Sequence, residues 1–418
     1  MKRPIAPSLS PNTERDDILL AIKMLFSPIQ WFNFRYTEKL ENKFSDYFGS
    51  KYKAIAVNSG RSALYLILKS LEYKPGDGVG LQALTCSAVP NPILWNKLTP
   101  VYLDIDKNYN VDAISLKRNL GKNIKALIVQ HSFGIPSNLD EIKRVTKKHN
   151  LVLIEDCALS LGAEYKKRKL GTFGDIAFFS FGRDKVISSV FGGMIMVSNA
   201  KLYDKLLIER DKLSYPSFTW VIKQLMHPVI FSVVLPFYNF GLGKFTLGKI
   251  MIFFLMKLGF IDKPVSKEEE FTKKPDIFPK KMPGALSYLA LNQFEKLERL
   301  NKHRVKIANI YFKRLKKSSF VLPNKVNGSI WVRFPLLCDN KEDVLKFFKK
   351  NKILLGNWYS KVVFPSFDLN LFGYRRGSCL KAEKITRQII NLPTYISITI
   401  DDANKICDLL LECKKNIK

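Results

Sequence analysis

Short apolar runs alternate with helical segments through the first part of the chain. The runs are residues 54–57, 80–84, 100–105, 125–130 and 151–155. The segments between them, 58–70, 87–97, 112–119 and 139–150, have helical spacing or helix-start signals, and two more helices are indicated within residues 16–48. Alternation of this kind predicts an α/β fold with a doubly wound, mainly parallel sheet flanked by helices.

Residues 151–199 place an acid and an amine beside two predicted strands. Asp156 ends the first apolar run, and Lys185 lies in a short loop after a second run, residues 176–181. Sheets of this type bind ligands outside the carboxyl ends of their strands. We therefore predict that Asp156 and Lys185 converge at one edge of the sheet. His131 reaches the same edge, although a single histidine after a strand is more often a hydrogen-bonded structural residue.

A small polar turn, Ser59-Gly60-Arg61, separates the first predicted strand from a helix. The first backbone N–H groups of a helix lack partners within it, and its positive end attracts anions. The turn is therefore a candidate phosphate pocket. An ordinary helix cap explains the same residues equally well.

Two strongly apolar segments, 220–240 and 247–261, interrupt the pattern. Prolines and lysines break them, so neither has the roughly 20 unbroken apolar residues of a spanning helix. Three interpretations stay open: a helical hairpin buried in a dimer, which is slightly favoured; a hairpin at a membrane interface; or a lid over the active site.

The remaining chain predicts a smaller α+β domain. It contains a long helix over 285–311, a strand over 329–337, and helices over 341–350 and 401–411. We predict a large domain of residues 1–264, with an apolar insertion at about 216–262, and a small domain of residues 265–418 that includes the long connecting helix.

Composition restricts the class of protein. The net charge of the 418 residues is +31, from 68 Lys and Arg against 37 Asp and Glu, but the lysines are spread along the chain, so nucleic-acid binding is disfavoured. Six scattered cysteines and four histidines predict neither a disulfide framework nor a metal site. We predict a cytoplasmic protein, with the inner face of the membrane as the alternative location.

A carboxylate, an anion pocket and a partly desolvated lysine at one edge meet the three anchoring needs of pyridoxal 5′-phosphate. The carboxylate keeps the ring nitrogen protonated, the pocket holds the phosphate, and the lysine forms a Schiff base. A nucleotide site with a phosphate-binding lysine fits the same residues.

Motifs along most of the chain resemble those of the DegT/StrS-type sugar aminotransferases, which are fold-type I enzymes that use pyridoxal 5′-phosphate. They are Asn58-Ser59-Gly60-Arg61-Ser62-Ala63-Leu64, residues 100–106, His131-Ser132-Phe133-Gly134, residues 154–158, residues 162–165, Gly174-Asp175, Phe179-Ser180-Phe181 with Lys185, Ala382-Glu383 and Asn391-Leu392-Pro393. Their order and spacing carry the likeness.

The resemblance implies roles for individual residues. Lys185 carries the cofactor and then moves the proton of the reaction. Asp156 pairs with the ring nitrogen. Ser180 and the Gly60-Arg61 turn hold the phosphate. The family acts as a homodimer with shared active sites, and the partner's contribution to the phosphate site falls near Lys281.

Three positions depart from the family pattern. Arg61 replaces a small residue, Cys86 stands where an aromatic side chain commonly stacks on the cofactor, and Leu159 stands where a glutamine usually contacts it. The resemblance still places all three around the cofactor. Further along, Tyr374 and Arg375 are predicted substrate contacts, together with His131.

The implied activity is transfer of an amino group, from glutamate, to a nucleotide-linked keto-sugar for a surface polysaccharide or related glycan. Lys185 disfavours a related sugar dehydratase, because those enzymes carry histidine there. A degenerate relative that acts as a membrane-associated scaffold or regulator is the second alternative, suggested by Cys86, Leu159 and the apolar insertion.

Overall fold

A computed structural model describes residues 4–241 and 246–416 of the chain. The strands are β1 Lys53–Val57, β2 Gly78–Gln82, β3 Thr99–Leu103, β4 Ile124–Gln130, β5 Val152–Asp156, β6 Glu164–Tyr165, β7 Arg168–Lys169, β8 Ile176–Ser180, β9 Gly193–Val197, β10 Phe334–Leu337 and β11 Ile389–Leu392. The α-helices are α1 Arg15–Leu25, α2 Phe34–Phe48, α3 Gly60–Ser70, α4 Pro90–Trp95, α5 Ala113–Asn119, α6 Leu139–Lys148, α7 Ala200–Asp211, α8 Phe218–Val234, α9 Leu247–Lys257, α10 Lys267–Glu270, α11 Gly284–Glu295, α12 Leu297–Leu315, α13 Lys341–Lys350, α14 Leu380–Gln388 and α15 Ile400–Asn416.

The main sheet has seven strands in the order β1-β9-β8-β5-β4-β2-β3. The pairs β2·β3, β2·β4, β4·β5 and β5·β8 are parallel, and only β9 runs against its neighbours β8 and β1. The predicted α/β architecture with a mainly parallel sheet is confirmed. In register, Gln130 pairs with Asp156, and Asp156 pairs with Phe178, so these carboxyl ends share one edge.

The strands are apolar throughout because both faces of the sheet are covered. Ile128 and Ile154 belong to one buried cluster, whereas Leu127 and Leu153 belong to another. Successive side chains of a strand point to opposite faces, so a strand buried on both sides has no polar alternation. Each fully buried aliphatic side chain contributes about 1.5–3 kcal/mol relative to its exposed state.

The predicted strand over residues 329–337 is too long. Only Phe334–Leu337 pairs with β11. The amides of Ile330 and Val332 instead donate to the carbonyls of Gly134 and Phe133, in the loop after β4. Residues 330 and 332 are therefore hydrogen-bonded to the loop at the edge of the large sheet.

The predicted single helix over residues 285–311 is interrupted at Lys296, where α11 ends and α12 begins. The break lets α11 pack on α1 and α2 while α12 packs on α15. Lys296 itself forms ion pairs with Asp16 and Asp17 at 2.7 and 2.8 Å. The division into domains 1–264 and 265–418 stays a prediction.

The apolar insertion forms two helices of different character. Phe218–Phe237 has the length and hydropathy of a membrane-crossing helix, but 44% of it is buried; α8 packs on α1 and α11. On α9, Phe253 and Phe254 are 63% and 53% exposed, and Leu258 beyond its end is 69% exposed. Residues 242–245 of the insertion lie outside the described residues.

Candidate active site

A cavity of about 390 Å³ opens at the carboxyl ends of β5 and β8. It brings together Gly60, Asp156, Ser180 and Lys185 from the first half of the chain. Residues 358–359 and 364–365, far along the sequence, form part of its wall. The predicted convergence of the acid and the amine at one sheet edge is thus found in the structure.

Asp156 is buried at the end of β5 and is oriented by two hydrogen bonds. Ala158 N–H donates to Oδ1 at 3.0 Å, and Gln130 Nε2 donates to Oδ2 at 2.9 Å. Burial raises the pKa of this carboxyl, although these bonds and nearby Lys185 counteract it. A cation placed in the cavity would therefore stabilise the ionised form. The contact to Ala158 also fixes the turn that follows β5.

Glu155, next to Asp156, has a structural role. Its carboxylate accepts the amides of Gly171, Phe173 and Gly174 at 2.6–2.9 Å. It also lies 3.2 Å from His131 Nε2. Burial favours its neutral form, but the imidazole and the amides outweigh burial and hold the pKa of Glu155 below its usual value.

His131 lies in the cavity wall with both ring nitrogens engaged. Its Nδ1 accepts the Ser137 amide at 3.2 Å, which leaves Nε2 as the protonated nitrogen facing Glu155. This pairing favours the structural alternative for His131, and substrate contact through it stays a prediction.

Two glycines allow the close approach that forms a cradle at the start of α3. A Cβ on Gly60 would lie 3.0 Å from Cβ and 3.3 Å from Oγ of Ser180. A Cβ on Gly193 would lie 2.4 Å from the Ser59 carbonyl group. Ser59 caps the helix by accepting the Ser62 amide at 3.0 Å. The Gly60 amide and the Ser180 hydroxyl therefore sit side by side at a positive helix end.

Arg61 points away from this cradle. Its guanidinium binds both oxygens of Glu269 at 2.5 and 2.6 Å and the Pro264 carbonyl at 3.1 Å. It also covers the ring of Phe278, 4.3 Å from the centroid. The guanidinium of Arg61 is therefore engaged by Glu269. A role of Arg61 in holding the phosphate stays a prediction.

The loop that carries Lys185 is fixed from both sides. The Lys185 amide donates to the Gly182 carbonyl at 3.2 Å, and its carbonyl accepts Asn12 Nδ2 at 2.6 Å. Asp184 forms an ion pair with Arg333, whose guanidinium lies 3.7 Å from the Trp358 ring. The Lys185 side chain, half-buried, lines the cavity.

Cys86 and Leu159, like Arg61, depart from the family pattern and line the cavity. Burial raises the pKa of the Cys86 thiol, so this side chain is neutral. The backbone beside Cys86 pairs with the C-terminal part of the chain: Phe364 N–H donates to the Thr85 carbonyl, and Ser87 N–H donates to the Phe364 carbonyl.

Three predicted site residues lie outside this cavity. Lys281 pairs with Ser214 through its amide and lies near Tyr215, outside the cavity. Tyr374 donates to Glu383 at 2.7 Å, and Arg375 beside it is exposed. None of the three lines the cavity that Lys185 lines, so their roles stay predictions.

The sequence did not predict several residues of the cavity wall, among them Arg183, Arg333, Trp358 and Tyr359. A signal existed for two of them. Arg183 follows an apolar strand within the same loop as Lys185, and Arg333 is a charge inside the apolar run 330–337. Nothing local marks Trp358 or Tyr359.

The sequence profile of the DegT/DnrJ/EryC1/StrS aminotransferase family matches residues 12–216 and 265–411. The apolar insertion falls between the two matched segments. An uncharacterised protein of Methanocaldococcus jannaschii is 27% identical over 389 residues, which cover 91% of this chain and 89% of that protein. The GDP-perosamine synthase of Escherichia coli O157:H7 is 36% identical over 173 residues. That alignment covers 41% of this chain and about half, 47%, of the synthase.

Solved structures share the fold. Helicobacter pylori PseC, an aminotransferase of pseudoaminic acid biosynthesis, superposes with a TM-score of 0.76 at 20% identity, covering 99% of this chain and 100% of that chain. An Escherichia coli GDP-4-keto-6-deoxy-D-mannose-3-dehydratase with bound hydrated PLP gives a TM-score of 0.75 at 22% identity, covering 98% and 100%.

Proposed function

We propose, from the premise that this chain belongs to the DegT/DnrJ/EryC1/StrS aminotransferase family, that it is a pyridoxal 5′-phosphate-dependent sugar aminotransferase. Membership of the family confirms the resemblance on which the prediction rested. The observation that carries the proposal is that Lys185 and Asp156 line one cavity with the Gly60–Ser180 cradle.

The residues present fit the cofactor. A Cβ at Gly60 would fill the cradle where the phosphate is expected, and Ser180 offers a hydroxyl there. Burial raises the pKa of the Asp156 carboxyl, and a protonated ring nitrogen would add a cation that favours its ionised form, as Lys185 does in the structure. Two structures of similar fold contain the cofactor as PLP or PMP. When bound, pyridoxal phosphate supplies a ring that withdraws electrons from the carbon beside the transferred nitrogen.

The chain's own groups then have defined tasks. Nζ of Lys185 accepts the proton from the substrate carbon and returns it. Asp156, held by Gln130 and Ala158, keeps the ring nitrogen protonated. Trp358 and Tyr359 form an aromatic wall that limits the access of water.

The substrate is a keto-sugar linked to a nucleotide, and the product enters a surface polysaccharide. Support comes from relatives named GDP-perosamine synthase, spore coat polysaccharide biosynthesis protein and dTDP-3-amino-3,6-dideoxy-alpha-D-galactopyranose transaminase. The amino donor is glutamate. A non-catalytic scaffold is disfavoured because both Lys185 and Asp156 are present in the cavity.

The enzyme works as a homodimer in the cytoplasm. Support for the dimer is that Lys281, which the family resemblance places at a phosphate site, lies beside Arg210 and Tyr215 instead of lining the cavity of its own subunit. The insertion contacts the inner face of the membrane peripherally. Support for this contact is the exposed apolar side of α9 together with five lysines and no acidic residue between residues 212 and 261.

Visible absorption tests the activity. The purified protein should show the absorption of the lysine-bound cofactor, and L-glutamate should bleach it. Lys185→Ala should abolish the absorption and lower the transfer rate by about 100-fold or more. The control is Lys257→Ala, which changes an exposed lysine on α9 and should leave the absorption and the transfer rate unchanged. A colourless wild-type protein that binds no cofactor would refute the proposal, and absorption that glutamate does not bleach would favour the scaffold.

A further inference from the structure

Arg183 occupies an unusual position in the loop between β8 and Lys185. Only 9% of the residue is exposed, and it lines the same cavity as Lys185. Long charged side chains are rarely buried to this degree unless a charged partner accompanies them. The partners of Arg183 therefore decide what the residue is for.

Burial lowers the pKa of this guanidinium, and the nearby carboxylates of Asp262 and Asp184 raise it again without forming an ion pair with it. Nη1 donates to the Asp262 carbonyl at 2.5 Å, and the group lies 5.5 Å from the Phe191 ring centroid. Nε is buried and has no acceptor in the part of the chain that the structure describes. Within the described residues, no carboxylate lies within ion-pair distance of Arg183.

The other two arginines of the cavity differ in this respect. Arg61 is paired with Glu269, and Arg333 is paired with Asp184. Burial lowers the pKa of Arg183 to about 10, which still leaves it charged at neutral pH. A buried positive charge that forms no ion pair among the described residues thus lies in the cavity wall, which Lys263 also lines.

The apolar insertion holds this arrangement in place. The backbone carbonyl of Asp262 accepts a hydrogen bond from Arg183. The side chain of Asp262 accepts a second hydrogen bond, from Gln224 Nε2 of α8, at 3.2 Å. Gln224, Asp262 and Lys263 all belong to residues 217–264, between the segments that match the family. The contact is therefore built in part from a segment that the family profile does not match.

We propose that Arg183 is an anion-binding residue of the active site that binds a phosphate group through its unpaired guanidinium donors. A planar guanidinium recognises phosphate through paired hydrogen bonds, which are strong because both groups are charged. The proposal rests on the proposed function, which supplies two sources of phosphate: the diphosphate of a nucleotide-linked sugar and the cofactor.

Titrations of Arg183→Leu and Arg183→Lys distinguish these sources. GDP, dTDP and inorganic pyrophosphate are the probes of the substrate diphosphate, measured by calorimetry on the holoenzyme. The cofactor's affinity is measured by its visible absorption. We expect Arg183→Leu to weaken binding of the diphosphate probes by at least about tenfold, and Arg183→Lys to weaken it less, because lysine keeps the charge without the fork.

The matched control is Arg314→Leu, which removes a surface arginine paired with Asp408. It should change no affinity, and thermal unfolding of every variant shows whether the fold persists. A loss confined to the diphosphate probes assigns the substrate as the source; a loss confined to the cofactor assigns the cofactor.

Unchanged affinities for both would overturn the proposal. A change confined to the glutamate concentration that half-bleaches the absorption would also overturn it, because the anion would then be a carboxylate. Wild-type absorption bleached by glutamate shows in each case that the aminotransferase assignment stands independently.

Discussion

Asp156 must satisfy two opposing requirements at the scale of a single residue. Its carboxyl is buried, which favours the neutral acid, while the proposed chemistry needs a carboxylate. The side-chain amide of Gln130 can hydrogen-bond to Asp156 in either protonation state. Its Nε2 donates to the carboxylate, and its Oε1 is buried without a donor. Rotation of this amide would present Oε1 to a proton on Asp156.

Because the Gln130 amide can rotate, Asp156→Asn removes the charge of Asp156 and keeps its hydrogen bonds. The asparagine can keep the Ala158 contact and donate to the rotated Gln130, so the fold should persist. Activity should fall by about 100-fold or more, the size typical of losing one electrostatic contact in an active site. Asp204→Asn, on the exposed side of α7, is the control and should retain full activity. Retained activity in Asp156→Asn would contradict the assigned role.

The stability of the cofactor-free protein should respond to the same change. Because burial raises the pKa of Asp156, the folded state binds the proton more tightly than the unfolded chain. Stability from this group is complete below the unfolded pKa of about 4 and is lost as the pH rises through the folded value. Thermal unfolding should therefore show Asp156→Asn equal to wild type at low pH and more stable at neutral pH. Equal melting temperatures throughout would mean that burial of the charge costs little.

Residues whose partners are near in sequence were predictable, and residues whose partners are distant were not. Asp156, Ser180 and Lys185 each follow an apolar strand, and strand ends of a parallel sheet meet at one edge. Nothing near Arg61 in the sequence indicated Glu269 as its partner, because the two residues lie 208 positions apart. Arg333 is a similar case, since Asp184 lies 149 positions earlier.

At the scale of elements, the insertion has two faces with different environments. Val221 and Leu225 of α8 are fully buried, so α8 belongs to the folded core. On α9, by contrast, the buried residue is Gly248. A Cβ added to Gly248 would lie 2.5–2.6 Å from backbone atoms of Tyr238, so a larger residue does not fit there. The sequence predicted an apolar insertion; it could not tell which of the two helices would be covered.

Vesicle flotation tests what α9 contacts. Wild-type protein should float with phosphatidylglycerol vesicles and much less with neutral phosphatidylcholine vesicles, because the lysines need an anionic surface. Phe253→Glu with Phe254→Glu should reduce binding by about tenfold or more, since each buried aromatic side chain is worth about 1.5–3 kcal/mol. Leu380→Glu changes an equally exposed leucine on α14 and should float like wild type.

Two results would contradict this assignment. One is wild-type protein that stays unbound with both vesicles. The other is an α9 variant that turns from dimer to monomer in light scattering, which would place α9 in the subunit interface.

At the scale of the whole molecule, one chain does not gather every predicted part of the phosphate site. Lys281 lies beside Tyr215 and Arg210, away from the cavity that Lys185 lines. The sequence could place Lys281 near the cofactor only through the family resemblance, because the contact would cross between subunits. A test must therefore separate a role in the same subunit from a role in the partner.

Mixing two inactive variants makes that separation. If Lys281 acts in the partner's site, a dimer of one Lys185→Ala and one Lys281→Ala subunit contains one intact site and one doubly altered site. Random reassociation gives half of the dimers this composition, so about a quarter of the wild-type activity should return, measured by transfer from glutamate. If Lys281 acts within its own subunit, every site in the mixture carries one change and no activity returns. Lys280→Ala, a change of the neighbouring lysine that donates to Ser214, is the control and should be active before mixing.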